Sequence, residues 1–126
     1  MLTDSKNAAL YTEWHKSITD PQVQAAFHYI VGAAARLEEY QCHIQWKGKV
    51  RDFRFHDTGG EQPFSFITNN RWLLFYLRPP AIRSGTFSRN ELENLFDSVA
   101  ENSAGEWTVR LRSIPDVERL IRFLGW

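Results

Sequence analysis

The sequence has a single cysteine, no net charge and no long apolar run, and each scarcity removes a class of answers. Cys42 alone rules out an internal disulfide and a cysteine-based zinc site, and it fits a reducing compartment. Fifteen Lys and Arg balance fifteen Asp and Glu, so whole-molecule charge steers no partner. No apolar stretch approaches the roughly 20 residues of a membrane span, so no membrane contact is expected. The opening Met-Leu-Thr-Asp-Ser-Lys-Asn has neither a basic n-region nor an apolar h-region, and no secretory leader is expected. The expectation is a cytoplasmic protein of bacterial or phage type. Linkers, internal repeats and low-complexity tracts are also missing. One α+β domain over residues 1–126 is expected, with a helical part at 1–40 and a sheet with two further helices at 41–126.

What the chain does have is aromatics, five Trp, nine Phe and four Tyr, and a stretch that uses them. Arg71 to Arg78 reads Arg-Trp-Leu-Leu-Phe-Tyr-Leu-Arg. Both alternating sets are apolar: Trp72, Leu74 and Tyr76, and Leu73, Phe75 and Leu77. That is the pattern of a central strand covered at least partly on both faces.

Around it the periodicity sorts the rest. Residues 4–17 read as a helix capped by Thr3 or Asp4. Thr19 with Gln22 forms a capping pair, with Pro21 tolerated in a first turn, so a second helix is expected over 21–39. Its stripe is Val23, Phe27, Ile30, Val31, Ala34 and Leu37. The period then becomes two. Cys42, Ile44 and Trp46 alternate with polar residues, a turn follows at Lys47-Gly48-Lys49, and Phe53 and Phe55 alternate with Asp52, Arg54 and His56. Asp57-Thr58-Gly59-Gly60 turns the chain into a third strand at 64–68, and Asn69-Asn70 makes a hairpin into the central one. Pro79-Pro80 ends the meander and a loop is expected over 81–87. Ser88 with Glu91 and Ser113 with Asp116 are capping boxes for two helices, expected to bury Leu92, Leu95, Phe96 and Val99, and Val117, Leu120, Ile121 and Leu124. Between them Trp107, Val109 and Leu111 alternate with Thr108, Arg110 and Arg112. The expected fold is α+β, a mainly antiparallel five-stranded sheet made of a four-strand meander plus one late strand, packed by N-terminal and C-terminal helices.

The run Trp107-Thr108-Val109-Arg110-Leu111, followed by a short loop and a helix with Asp116 early in it, resembles the late strand and closing helix of the small bacterial YdhG and MmcQ/YjbR-like α+β proteins. The likeness covers roughly residues 44–126. The closing Ser-Tyr of the YjbR pattern is absent, and Pro79-Pro80 falls outside it. The resemblance implies a fold and carries no site residue.

The chemistry-bearing residues are weak singly. His56-Asp57 are strand neighbours pointing to opposite faces, so they do not converge on one atom and read as a strand end and a turn start. His15, His28, His43 and His56 show no metal-ligand spacing, and no metal is expected. Cys42 sits on the apolar phase of its strand and reads as a buried small hydrophobe. Ser84-Gly85 and Gly59-Gly60 match neither phosphate-binding fingerprint, and no cofactor is expected.

The charge distribution is more telling. Residues 44–90 hold eight basic side chains against three acidic ones, while residues 1–43 and 91–126 are each net acidic. Phase puts Arg54, Arg110 and Arg112 on the polar sheet face, where the central strand adds either Trp72 with Tyr76 or Phe75. Lys47, Lys49, Arg51, Arg78 and Arg83 lie in adjoining turns. The first functional reading is a non-enzymatic binding or regulatory module meeting a protein partner, or a second copy of itself, through the sheet edge and the loop carrying Arg78, Pro79, Pro80, Arg83 and Phe87. The alternative is a nucleic-acid-binding protein using the basic, aromatic sheet face. An enzyme ranks third, because no titratable pair has a spacing suited to acid–base or nucleophilic work.

Overall fold

A computed structural model describes Leu2, residues 8–47 and residues 50–126. The cap expected at Thr3 or Asp4, the 48–49 part of the first turn with Lys49, and the side chains of Trp46 and Lys47 lie outside the described residues. Among those described, the elements run α1 (Ala8–Ser17), α2 (Pro21–Arg36), β1 (Gln41–Lys47), β2 (Val50–His56), β3 (Phe64–Thr68), β4 (Leu73–Leu77), α3 (Pro79–Arg83), α4 (Arg89–Leu95), β5 (Ala100–Glu101), β6 (Trp107–Leu111) and α5 (Ile114–Leu124). The strands form one open sheet in the order β1-β2-β3-β4-β6-β5, and every neighbouring pair is antiparallel. The α+β class and the central place of the 71–78 stretch are as expected. No described helix is long and apolar enough to cross a membrane.

Several boundaries differ, each for a local reason. The sheet has six strands rather than five, because Ala100–Glu101 adds a two-residue edge against Thr108 and Trp107, too short to show an alternation. Residues 79–83 are helical rather than loop. The two prolines occupy the first turn of α3, where a missing N–H has no helical partner to lose. Asp20, not Thr19, caps α2, accepting from the Gln22 N–H at 2.8 Å. That helix stops at Arg36 rather than Glu39, with Leu37 extended. The 69–72 connection is wider than a two-residue turn. Asn69 Oδ1 accepts from the N–H groups of both Arg71 and Trp72, so β4 begins at Leu73. Leu95, expected inside, is 39% exposed. Gly125, at φ 77°, takes the left-handed geometry that ends α5.

The core lies on one side of the sheet. Phe53, Phe55, Phe64, Phe66, Leu73, Phe75, Leu77, Val109 and Leu111 project from four strands into one cluster with Trp14, Phe27, Ile30, Leu92, Val117 and Leu120 of the helices. Phe53 stacks on Phe66 with ring centroids 4.7 Å apart, and Trp126 closes the far end over Phe55 at 4.9 Å. Each such ring removed from water contributes about 1.5–3 kcal/mol, enough to hold five helices on one sheet face. Phe75 belongs to this core. Of the two sets offered by the central strand, Trp72 and Tyr76 are therefore the ones left on the opposite face.

Candidate functional site

The opposite face follows from pleat and register. Arg54 on β2, Ser65 on β3, Tyr76 on β4 and Thr108 on β6 form one cross-strand row. Asp52, Ile67, Leu74 and Arg110 form the next, two residues along, or about 7 Å at 3.4 Å per residue. None of these residues belongs to the helix-packed cluster. Trp72 lies one further step along, in phase with Leu74 and Tyr76.

The first row borders an open cleft of about 270 Å³ lined by Asp52, Arg54, Ser65, Ile67, Tyr76, Arg78 and Glu106, none of them from a helix. Its two arginines are held firmly. Arg54 donates from Nε to Asp52 Oδ2 at 2.6 Å and from Nη1 to Gln62 Oε1 at 2.6 Å. Arg78 donates from Nε to Glu106 Oε2 at 3.0 Å and from Nη1 to the Gln62 carbonyl at 2.8 Å. Gln62 thus braces both guanidiniums, one through its side chain and one through its backbone. Glu106 is itself fixed by Asn102 Nδ2 at 3.0 Å. The Tyr76 hydroxyl is harder to ionise than usual, through burial first and then the carboxylates of Glu106 and Asp52. The two arginines of this cleft are therefore matched by Asp52 and Glu106, and the cleft floor is close to neutral.

The second row ends in a different arrangement. The Arg110 guanidinium lies 4.2 Å from the Trp72 ring centroid and that of Arg112 lies 5.8 Å from it, both within cation–π range. No acid lies within ion-pair distance of either guanidinium among the described residues. Among those residues, this is the one place on the face where positive charge is concentrated and not neutralised by a neighbour.

The other residues singled out by sequence fall elsewhere. Arg51 is not in a turn but within β2, on the phase of Phe53 and Phe55. Pro79 and Pro80 open α3, and Arg83 pairs with Glu61 at 3.0 Å across an exposed gap, an ion pair worth under about 1 kcal/mol. Phe87 turns inward, with ring centroids 5.7 Å from both Phe64 and Phe123. Of the five residues expected in a partner-binding loop, Arg78 lies in the cleft, Pro79 and Pro80 open α3, Arg83 is exposed and Phe87 packs on the core. Cys42 is buried, and burial pushes its thiol up to about 11, far from the reactive thiolate. Asp57 serves its turn, accepting from the N–H groups of Gly59 and Glu61, both at 2.9 Å.

Sequence spacing missed two histidine pairs. His43 and His56 bring their ring centroids to 4.6 Å across β1 and β2, and His15 and His28 to 4.4 Å across α1 and α2. No group of three His, Cys, Asp or Glu positioned to hold a metal ion occurs among the described residues. The His56 imidazole is driven below its ordinary value of 6.5 by burial, then by the neighbouring His43, Arg54 and Arg78, with Asp57 opposing weakly. Its Nε2 is buried without a hydrogen-bond partner. An unfolded chain then takes up this proton before the folded one does. Stability is therefore full above the unfolded value near 6.5 and is lost as pH falls through the lower folded value. An NMR titration should place the His56 midpoint below 6.5, and His43→Asn should move it upward. A midpoint at or above the ordinary value would contradict this geometry.

No protein-family model matches the sequence, no curated protein matches it, and no solved structure matches its fold.

Proposed function

We propose that the protein is a binding module for single-stranded nucleic acid, and that the strand lies across the helix-free face of the sheet. The observation that carries this reading is the Arg110 guanidinium over the Trp72 ring at 4.2 Å, with Arg112 beside it. A guanidinium held over an indole keeps N–H groups for a phosphate beside a ring on which a base can stack. Single-stranded nucleic acids are held by this combination of stacking and charge. Tyr76 adds a second half-exposed ring two rows away. The apolar Ile67 and Leu74 between them present a surface that exposed bases cover favourably.

A protein partner is favoured less. A surface for one is marked by a contiguous exposed apolar patch. Outside this sheet face, the large exposed apolar side chains among the described residues, Tyr29 on α2 and Leu95 on α4, lie on separate helices.

Fluorescence anisotropy of labelled single-stranded and duplex DNA and RNA at two salt concentrations tests the reading. Single strands should bind in preference to duplexes, and binding should weaken as salt rises. Arg110→Ala/Arg112→Ala should reduce affinity and lower the salt slope by about 1.4, at about 0.7 for each phosphate left without its arginine. No binding at low salt would discard the reading.

A further inference from the structure

Arg110 and Arg112 face two ways. Beyond Trp72 they also line a cleft of about 400 Å³ outside the sheet face, with Ser98, Asp97, Asp116 and Arg119 among its other walls. The cleft lies beside β6, past the Ala100 end of the short β5, where Ser98 meets the Arg110 N–H. Its outer wall is the end of α4 with the chain that follows it, residues 95–98, together with the first turns of α5.

The arginines are disposed to receive an anion. Arg119 is fixed in place by Asp116 Oδ1 at 3.2 Å and by the Leu95 carbonyl at 3.4 Å, and its guanidinium rests 5.7 Å from the Phe96 ring centroid. Asp116 is itself committed, because its Oδ2 accepts from the Arg112 N–H at 2.8 Å. Ser98 Oγ accepts from the Arg110 N–H at 3.0 Å, which leaves the hydroxyl proton free to donate. Arg110, Arg112, Arg119 and Ser98 therefore line a single cleft, with Asp116, already engaged, and Asp97.

We infer that this cleft takes a phosphomonoester, the terminal phosphate of the bound strand. The inference rests on the nucleic-acid reading above. The cleft shares Arg110 and Arg112 with the Trp72 site, so a strand lying over Trp72 can place its end within reach of it. A terminal phosphate carries close to two negative charges near pH 7, a better match for three arginines than the single charge of an internal diester. Asp97 opposes the second charge and sets how tightly the end is held.

The test compares one oligonucleotide carrying a 5′-phosphate, a 3′-phosphate or hydroxyl ends, with inorganic phosphate as a separate arm. Binding is read by anisotropy for the oligonucleotides and by the NMR shifts of the arginine Nε–H groups for phosphate. One phosphorylated end should bind at least tenfold more tightly than the hydroxyl form. Arg119→Gln should erase that difference while leaving hydroxyl-ended binding and thermal stability unchanged, and Asp97→Asn should enlarge it. Equal affinity for all three ends, with Arg119→Gln silent, overturns the cleft assignment and leaves the sheet-face reading standing. Phosphate shifting the Arg112 and Arg119 resonances while no oligonucleotide binds supports the phosphomonoester site and overturns the strand as its source.

Discussion

Arg54→Ala is expected to lower folding stability by about 3 kcal/mol, the low end of the range for breaking a buried ion pair. The Arg54 and Asp52 side chains are 13% and 5% exposed and meet at 2.6 Å. Removing the guanidinium strands a carboxylate that water scarcely reaches, and it also removes a donor from Gln62. The pair as a whole contributes far less than either half costs, since both charges lose hydration on folding. Replacing both partners by apolar residues of similar size, Asp52→Leu with Arg54→Met, should therefore recover most of the loss. Urea unfolding of the single and double variants provides the comparison. A single variant within about 0.5 kcal/mol of the parent, the spread of ordinary surface changes, would mean that the pair is effectively solvated. Arg54→Ala is for the same reason a poor probe of ligand binding, because it changes the fold's stability along with its charge.

Phe55→Ala should cost more, about 4 kcal/mol, as large-to-small changes of a fully buried phenylalanine do. The ring sits at the junction of the aromatic cluster, with centroids 4.9 Å from Trp126, 5.2 Å from Phe53, 6.0 Å from Tyr40 and 6.2 Å from Phe75. Truncation leaves a void between strands β2 and β4 and the C-terminal Trp126, and rigid rings do not collapse readily into it. Phe55→Leu keeps most of the volume and should cost no more than about 1.5 kcal/mol. Near-UV circular dichroism during denaturant unfolding follows both the stability and the loss of ring packing. Equal costs for the two variants would show that volume is not what holds this corner.

The strands were legible because alternation is strict where one face is buried. Phe53 and Phe55 against Arg54, and Val109 and Leu111 against Arg110, declare their faces from sequence alone. Arg71 to Arg78 did not, since both its sets are apolar, and only the packing of Phe75 against Phe55 and Phe64 settles which faces inward. Helix starts were readable from Ser88 and Ser113, which accept from the Glu91 and Asp116 N–H groups at 3.3 and 3.4 Å. At Thr19-Asp20 two adjacent capping residues competed, and the one nearer Pro21 prevailed.

The clefts were harder to foresee. Arg78 finds Glu106 across 28 residues and Gln62 across 16, and Arg119 joins Arg110 only through the placement of α5. No spacing rule reaches such partners. Asp52 and Arg54 were the available clue. Opposite charges two apart on a strand share a face, and that pattern forecasts the neutralisation seen there.

The placement of the two most apolar strands has a consequence for refolding. Phe-Ser-Phe-Ile-Thr and Leu-Leu-Phe-Tyr-Leu form β3 and β4, each flanked on both sides within the sheet. Short, uncharged, strand-forming segments of this kind are the ones that assemble between chains when left unpaired. In the native protein they lie away from either rim. The rim at β6 offers little to a second molecule, with β5 and Ser98 covering part of its backbone and two arginines projecting nearby. Self-association should therefore arise from the unfolded chain rather than from the folded one. Yield on refolding from denaturant should fall steeply with protein concentration, while the folded protein stays dispersed at concentrations where refolding fails.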